Sequence, residues 1–271
     1  MSSEPTVWDT RSFLTSSSGH RETALIILNT PLPPQPLFER IWKTARVRYC
    51  ADGGANRLFD RFVKGKGKSE DFQGGDEEWL PDLVLGDLDS LRPDVKEFYE
   101  SKGIDVRHDP DEYSTDLGKN VNELSKYETS LSPDSSKPQQ LQLVIIGGLS
   151  GRLDQTIHTL HALTQLVEKQ GRDRVWAIGK ESAACILPKG KHQLKIDLES
   201  FGKTCGILPL GTSQAHVTTT GLEWDLGPTS YMYPTSLAEA VSTSNHLIQE
   251  DVTIETDVTV VWTMEVRGGA D

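Results

Sequence analysis

The sequence predicts an α/β protein: an N-terminal, mostly parallel sheet with helices on both faces, followed by a C-terminal antiparallel β-sandwich. Three observations support this fold class. Short apolar runs alternate with amphipathic segments over residues 23–181. Glycine or aspartate follows most of these runs. Over residues 182–271 the helical spacing stops, and short segments rich in Thr, Val and Ile replace it.

The first elements have a β-α-β rhythm. Residues 1–22 are rich in Ser and Thr without a sustained period and are predicted to be a mostly disordered tail. The apolar run ALIIL (24–28) is typical of a strand buried on both faces, and VRYCADGG (47–54) is a second such run that ends in glycines. The segment LFERIWKTA between them has its apolar residues at helical spacing.

The alternation continues to the end of the N-terminal part. A helix is expected from Ala55 to about Phe62, and a Lys- and Gly-rich loop follows it. The remaining predicted strands are residues 82–87, 104–109, 141–148 and 175–179, the predicted helices are 94–103, 116–127 and 152–171, and 130–140 is an expected surface insertion.

The last 90 residues are predicted to form a separate antiparallel β-sandwich. Period-two alternation is clearest in DVTIETDVTVVWTMEV, where Val252, Ile254, Trp262 and Met264 are expected on one face. Trp224 is expected on a strand, where a core or interface position competes with stacking on a flat heteroaromatic ligand.

Composition excludes several classes of protein. The 271 residues carry 28 basic and 40 acidic side chains, a net charge of −12, which argues against a nucleic-acid partner. No apolar run reaches the length of a membrane span and no signal sequence is evident, so we expect a cytosolic protein with no membrane partner. The widely spaced Cys50, Cys185 and Cys205 indicate buried thiols rather than disulfides or a zinc site.

Acids and glycines follow four of the predicted parallel strands. The segments are ADGGANRL (51–58), GDLDS (86–90), DPDEYSTD (109–116) and GGLSGRLDQ (147–155). Ligands of open parallel sheets bind outside the carboxyl ends of the strands, so we expect these segments to converge there. Glycine pairs before a helix let the backbone approach a phosphate closely.

The acids within these segments suit a divalent cation. Asp87, Asp89 and Asp116 could supply carboxylate oxygens to Mg²⁺ together with substrate phosphate oxygens. The alternative interpretation is that Asp87 and Asp89 cap a turn and that Ser114, Thr115 and Asp116 cap a helix.

Arg152 and Asp154 open the helix that follows the fourth segment. Arginine suits a bidentate grip on phosphate, whereas Asp154 alone is also explained by an ordinary helix N-terminus. No GxxxxGK[ST] loop and no GxGxxG after a strand occur, which disfavours a P-loop ATPase and a standard dinucleotide fold.

The four segments that follow the parallel strands are themselves followed by CGILPLG, VTTTGLEWDL, STSN and the final strand run. All of these occur in the order and approximate spacing of thiamine pyrophosphokinases. The chain resembles that family from about residue 24 to 266. The resemblance implies an ATP-binding catalytic domain over 23–181, a thiamine-binding sandwich over 182–271, and a homodimer with active sites at the subunit interface. The implied reaction transfers the pyrophosphoryl group of Mg²⁺-bound ATP to the hydroxyl of thiamine, giving thiamine diphosphate and AMP.

The resemblance also implies roles for individual residues. Asp87, Asp89 and Asp116 match the metal and polyphosphate centre, with Arg152 and Asp154 at the phosphates. The implied nucleotide pocket comprises Asp52, Gly53, Gly54, Asn56, Thr115, Lys119, Gly148 and Arg152, and the implied thiamine contacts are Glu112, Trp224, Ser244 and Asn245.

Two positions depart from the family pattern. Glu112 stands where animal members have Gln, and Glu223 precedes Trp224 where a basic residue is common, at a position expected to face solvent. Two other functions stay open from sequence: a metal-dependent phosphohydrolase or nucleotidyltransferase that uses the same acids, and a non-catalytic sensor of nucleotide or thiamine.

Overall fold

A computed structural model describes residues 4–15, 22–64, 76–133, 139–211, 215–227 and 242–268. The α-helices of this part are α1 (Gln35–Thr44), α2 (Gly54–Leu58), α3 (Pro93–Ser101), α4 (Asp116–Leu131) and α5 (Leu153–Glu168). The strands are β1 (Thr6–Asp9), β2 (Thr23–Ile27), β3 (Ala45–Ala51), β4 (Leu83–Gly86), β5 (Asp105–His108), β6 (Gln142–Ile146), β7 (Val175–Ile178), β8 (Ser182–Leu187), β9 (Gly190–Lys195), β10 (Phe201–Leu208), β11 (Val217–Thr220), β12 (Ser242–His246), β13 (Asp251–Thr256) and β14 (Val260–Val266).

A ten-stranded sheet runs through the molecule in the order β12-β10-β14-β8-β7-β6-β2-β3-β4-β5. The six strands from β7 to β5 are parallel, and the four from β12 to β8 are antiparallel. Along the chain, β2 to β5 step in one direction, and β6 then returns to the other side of β2. The order therefore reverses between β2 and β6, which is where open α/β sheets form a ligand crevice.

Helices cover both faces of the parallel strands, as the sequence predicts. Leu37, Phe38 and Trp42 of α1 pack into the core on one face, which also includes residues of α2 and α3. Leu124 of α4 and Leu163 of α5 lie in the core on the opposite face. Strands buried on both faces are continuous apolar runs, which explains the composition of β2 and β6.

The C-terminal half is a β-sandwich, but it is not separate from the N-terminal half. A second sheet with the order β1-β9-β13-β11 shares a buried core with the antiparallel strands of the ten-stranded sheet. Ile254 of β13 and Trp262 of β14 both lie in that core. The main sheet continues from β7 into β8 without interruption, so backbone hydrogen bonds join the predicted sandwich to the parallel strands.

The prediction that residues 1–22 form a disordered tail is wrong for residues 4–15. β1 pairs in parallel with β9, and Phe13 is fully buried. The Trp8 indole donates a hydrogen bond to His192 Nδ1 at 3.1 Å, and Thr44 Oγ1 donates to the Phe13 carbonyl at 2.6 Å. The buried Trp8, Phe13 and Leu14 anchor this Ser- and Thr-rich segment to the rest of the molecule.

The last predicted run is two strands, β13 and β14, which lie in different sheets. A turn at residues 257–259 separates them, and both present their alternate side chains to the sandwich core. Parts of two predicted loops, residues 65–75 and 134–138, lie outside the described residues. The three cysteines are buried and free, as expected.

Within the part of the chain that the structure describes, no helix has both the length and the apolar character needed to cross a membrane.

The anchoring of the N-terminal strand predicts a stability effect. Trp8 is 1% exposed, and its ring lies edge-on to Trp176 at 6.1 Å, so Trp8→Ala should lower the free energy of unfolding by about 3–5 kcal/mol. The neighbouring Val7 on the same strand is 44% exposed, and Val7→Ala should change the free energy of unfolding by less than about 0.5 kcal/mol. Urea unfolding measures both, and equal effects would contradict the anchoring role.

Candidate active site

Three carboxylates converge at the carboxyl ends of the parallel strands. Asp52 follows β3, Asp87 follows β4, and Asp116 is the first residue of α4. One oxygen from each lies within 4.8 Å of the other two. We call these residues the acid group. Asp52 has a φ of 46°, a left-handed conformation that Asp tolerates better than most residues.

Gly86 makes this convergence possible. A Cβ at residue 86 would lie 2.7 Å from the Asp52 Cβ and 3.0 Å from Asp116 Oδ1. Any side chain there would push the carboxylates apart. The glycine that ends β4 is therefore required by the close approach of the acid group.

The Asp52 carboxylate is buried, and one of its two oxygens has no hydrogen-bond partner. Its residue is 4% exposed, its Oδ2 accepts a hydrogen bond from the Ser90 amide at 3.2 Å, and its Oδ1 has no hydrogen-bond partner. Burial raises the pKa of Asp52, and the charge of Asp116 raises it further, although a hydrogen bond from the Gly53 amide opposes both.

Lys119 partly offsets the negative charge. The lysine is 4% exposed, and its Nζ donates to the Asp109 carbonyl at 2.9 Å and to Asp116 Oδ1 at 3.5 Å. The pKa of Asp116 is nevertheless raised, first by burial and then by the charge of Asp87. One ammonium does not balance three carboxylates, so the group retains negative charge.

The acid group fits a divalent cation. Carboxylate oxygens are the hard ligands that Mg²⁺ and Ca²⁺ prefer. The buried Asp52 Oδ1, which has no hydrogen-bond partner, is an acceptor that a cation would satisfy. Like charges at this separation are unfavourable without a cation, and this repulsion adds to burial in raising the pKa values of Asp52 and Asp116.

Asp89, predicted with Asp87 and Asp116 to hold the metal, does not belong to this group. Its Oδ1 accepts from Ser90 Oγ at 2.9 Å, and its amide donates to Asp87 Oδ1 at 3.1 Å. These are the local turn contacts of the alternative interpretation. The third member of the acid group is Asp52, which the resemblance assigned to the nucleotide pocket.

The ADGGAN segment is held by contacts within the chain. Asn56 Nδ2 donates to the Ser90 carbonyl at 2.7 Å, and its Oδ1 accepts from the Arg92 amide at 3.1 Å, so it ties α2 to the loop after β4. A Cβ at Gly54 would lie 2.1 Å from the Ile27 carbonyl oxygen. Gly53 is buried in the same turn, and both glycines allow contact with the end of β2.

The switch point between β2 and β6 is lined by residues of both strand ends. The Gly148 amide donates to Thr30 Oγ1 at 3.1 Å. Thr30 was not singled out from sequence, although it follows a buried strand in the same way as the predicted acids. Thr115 caps α4, where its Oγ1 accepts from the Gly118 amide at 3.2 Å.

Arg152 and Asp154 pair with each other at the start of α5. Two hydrogen bonds join the guanidinium to the carboxylate, and both side chains are more than half exposed. The ion pair lowers the pKa of Asp154. The structure records no contact of either residue with the acid group. They lie at the same edge of the sheet, beyond the carboxyl end of β6.

Trp224 lies in a turn after β11 and not on a strand, which corrects the prediction. The Asn245 side chain holds this turn: its Oδ1 accepts from the Trp224 amide at 3.2 Å, and its Nδ2 donates to the Trp224 carbonyl at 2.8 Å. Ser244 is exposed, with a φ of 57°. Glu112 is exposed on the loop before α4.

Two family models match the chain. Residues 38–175 match the description "Thiamin pyrophosphokinase, catalytic domain", and residues 191–261 match "Thiamin pyrophosphokinase, vitamin B1 binding domain". Thiamine pyrophosphokinase 1 of Oryza sativa subsp. japonica is 35% identical over 249 residues, which cover 90% of this chain and 87% of that protein. Thiamine pyrophosphokinase 1 of Arabidopsis thaliana is 35% identical over 257 residues, covering 93% and 89%.

Solved structures share the fold. The crystal structure of yeast thiamin pyrophosphokinase has a TM-score of 0.78 at 24% identity and covers 98% of this chain and 93% of its own. Thiamin pyrophosphokinase from Candida albicans has a TM-score of 0.77 at 22% identity, covering 97% and 93%.

The burial of Asp52 predicts the effect of neutralising it. A raised pKa means that folded protein loses stability as pH rises from the ordinary Asp value of about 3.9 through the folded-state pKa. Asp52→Asn avoids that loss, so in EDTA its Tm should exceed the wild-type Tm at pH 7, with a gap that narrows toward pH 4. Mg²⁺ should raise the wild-type Tm and leave the variant's almost unchanged. A variant less stable than wild type at pH 7 in EDTA would contradict this account.

Proposed function

The chain belongs to the thiamin pyrophosphokinase family, and we propose that it transfers the pyrophosphoryl group of ATP to the hydroxyl of thiamine, releasing thiamine diphosphate and AMP. The observation that carries the proposal is the acid group at the carboxyl edge of the sheet, in a chain whose two halves match the catalytic and the vitamin-binding regions of that family.

The acid group is the proposed Mg²⁺ site. Asp52, Asp87 and Asp116 would hold the ion, and Asp89, two residues beyond Asp87 on the same loop, stays a predicted ligand. When bound, Mg²⁺ would neutralise charge on the transferred phosphates. Lys119 holds Asp116 in place, and the Thr115 cap fixes the start of α4 on which Asp116 lies.

We propose that ATP lies along the strand ends between the acid group and the switch point. The proposed walls of this crevice are Gly53, Gly54 and Asn56, which follow β3, and Gly148, which follows β6. Arg152 is the proposed phosphate contact, because its exposed guanidinium can exchange Asp154 for phosphate oxygens in the same bidentate geometry.

The Trp224 turn is the proposed thiamine contact. Thiamine carries a cationic thiazolium and a flat aminopyrimidine, and an aromatic face suits both. Trp224 is 37% exposed, so its indole is available to a ligand. Asn245 positions the turn, and Ser244 and Glu112 are proposed polar contacts.

We propose a homodimer with shared active sites. Leu153 and Ile157 on the first turns of α5 are 74% and 51% exposed, and they adjoin the same sheet edge as the acid group. Exposed apolar side chains at a polar edge support a subunit contact there. The cytosolic location stays a prediction from the sequence.

Both alternative functions are disfavoured. A phosphohydrolase or nucleotidyltransferase would need only the acid group, but the chain also matches the vitamin-binding half of the family. A non-catalytic sensor would not need the three carboxylates of the acid group, which are held close together although they repel one another.

Product identification tests the proposed reaction. With ATP, Mg²⁺ and thiamine, the purified protein should release AMP and thiamine diphosphate in equal amounts, and no AMP without thiamine. ADP as the nucleotide product, or nucleotide turnover independent of thiamine, would contradict the proposal.

Neutralising Asp87 tests the acid group directly. Asp87→Asn should lower kcat by about 10²–10³-fold, because an electrostatic contact to the reacting phosphates is lost. Asp173→Asn, at an exposed acid remote from the sheet edge, is the matched control and should keep wild-type activity. Near-normal turnover of Asp87→Asn at saturating Mg²⁺ would reduce Asp87 to a turn-capping residue.

Complementation tests the shared site. The Asp87→Asn and Trp224→Ala variants should each be inactive or impaired alone. When the two are mixed, unfolded and refolded together, about half of the dimers should be hybrids with one intact site. The mixture should therefore recover up to about a quarter of wild-type activity. Activity no higher than the mean of the two separate variants would show that each site lies within one subunit.

A further inference from the structure

The Trp224 turn is fixed through its backbone and not through its indole. Asp225 accepts hydrogen bonds from the Leu222 amide at 3.1 Å and the Gly221 amide at 3.3 Å, and Asn245 holds the Trp224 amide and carbonyl. These contacts set where the Trp224 Cα lies. They leave rotation about the side-chain bonds of the indole undetermined.

The His246 ring lies next to the Trp224 indole. The ring centroids are 5.3 Å apart, with planes tilted by 42°. This separation lies within the range of favourable aromatic pairs. His246 ends β12, whose register with β10 places it directly opposite Thr204.

Glu223 fixes the orientation of that ring. The His246 Nδ1–H group donates to Glu223 Oε2 at 2.8 Å, and the Glu223 amide donates to the His246 carbonyl at 2.8 Å. The first bond sets the imidazole plane, and the second keeps the two residues side by side. An imidazole without this acceptor could rotate about its Cβ–Cγ bond and lose its contact with the indole.

A groove of about 310 Å³ lies on the antiparallel strands and is lined in part by β12, the strand that His246 ends. Thr204, the register partner of His246, lines the groove, as do Ser244 and Glu265. Paired residues on neighbouring strands present their side chains to the same face, so the His246 ring flanks the groove.

We propose that Glu223 and His246 are positioning residues for thiamine: the carboxylate orients the imidazole, and the imidazole holds the Trp224 indole in the conformation that binds the vitamin. This inference rests on the proposed function and deepens it. It assigns a role to Glu223, which the sequence pattern left as a solvent-facing departure from the family. Glu223 acts through its hydrogen bond and not through its charge.

Steady-state kinetics and calorimetric thiamine binding test the proposal with full-length protein. Glu223→Ala and His246→Ala should each raise the KM and the Kd for thiamine about three- to tenfold, with kcat and the KM for ATP within about twofold of wild type. Glu223→Gln keeps a hydrogen-bond acceptor and should restore thiamine binding. The double variant should resemble His246→Ala alone, because both changes act through one ring.

Glu255→Ala removes a surface carboxylate that pairs with Lys191 on the other sheet of the sandwich, and it is the matched control. It should leave thiamine binding unchanged. Thermal unfolding of every variant should match wild type, which separates positioning from folding.

Three results would overturn the inference: unchanged thiamine binding in Glu223→Ala, a Glu223→Gln variant as impaired as Glu223→Ala, or additive effects in the double variant. Calorimetry needs no turnover, so the inference is tested even if no thiamine diphosphate forms. Failure of wild-type protein to make thiamine diphosphate would instead refute the proposed function.

Discussion

The close approach of three like charges is the constraint on which the catalytic half depends. Asp52, Asp87 and Asp116 are held together although burial and mutual repulsion raise the pKa values of Asp52 and Asp116. Folding alone does not favour this arrangement, since neutral residues would pack there at lower cost. The parallel order of β3 and β4, the missing side chain at Gly86 and the start of α4 all serve to bring these carboxylates to one place.

One sheet joins this edge to the vitamin-binding half. The parallel strands that carry the acid group continue through β7 and β8 into the antiparallel strands, of which β12 contacts the Trp224 turn through Asn245. The N-terminal strand completes the second sheet of the sandwich, and Phe13 and Thr44 link it to α1. The two halves are thus parts of one hydrogen-bonded framework, and their relative position does not depend on a linker.

The sequence predicted those features of the site that depend on residues close together in the chain. Asp87 and Asp116 were found because each follows a strand or opens a helix, and the Thr115 cap has the residue type that such positions favour. Asp52 was assigned from sequence to the nucleotide pocket and not to the metal ligands, because its approach to Asp116 depends on a left-handed backbone and on the lack of a side chain at Gly86. Neither feature leaves a periodic signal. Trp224 was placed on a strand because it alternates with Leu222 and Leu226. The hydrogen bonds from Asn245, 21 residues away, turn the chain there instead. Likewise, Trp8 lies in a Ser- and Thr-rich segment, and its anchor, His192, is 184 residues distant.

We propose that the acid group supports transfer of an intact pyrophosphoryl group from ATP to thiamine. The most direct measurement follows ATP labelled at its β-phosphorus in a single turnover with thiamine and Mg²⁺. The account predicts that the label leaves with thiamine diphosphate and that none stays with the adenine nucleotide. Label retained in ADP, or released as free phosphate or pyrophosphate whether or not thiamine is present, would contradict it.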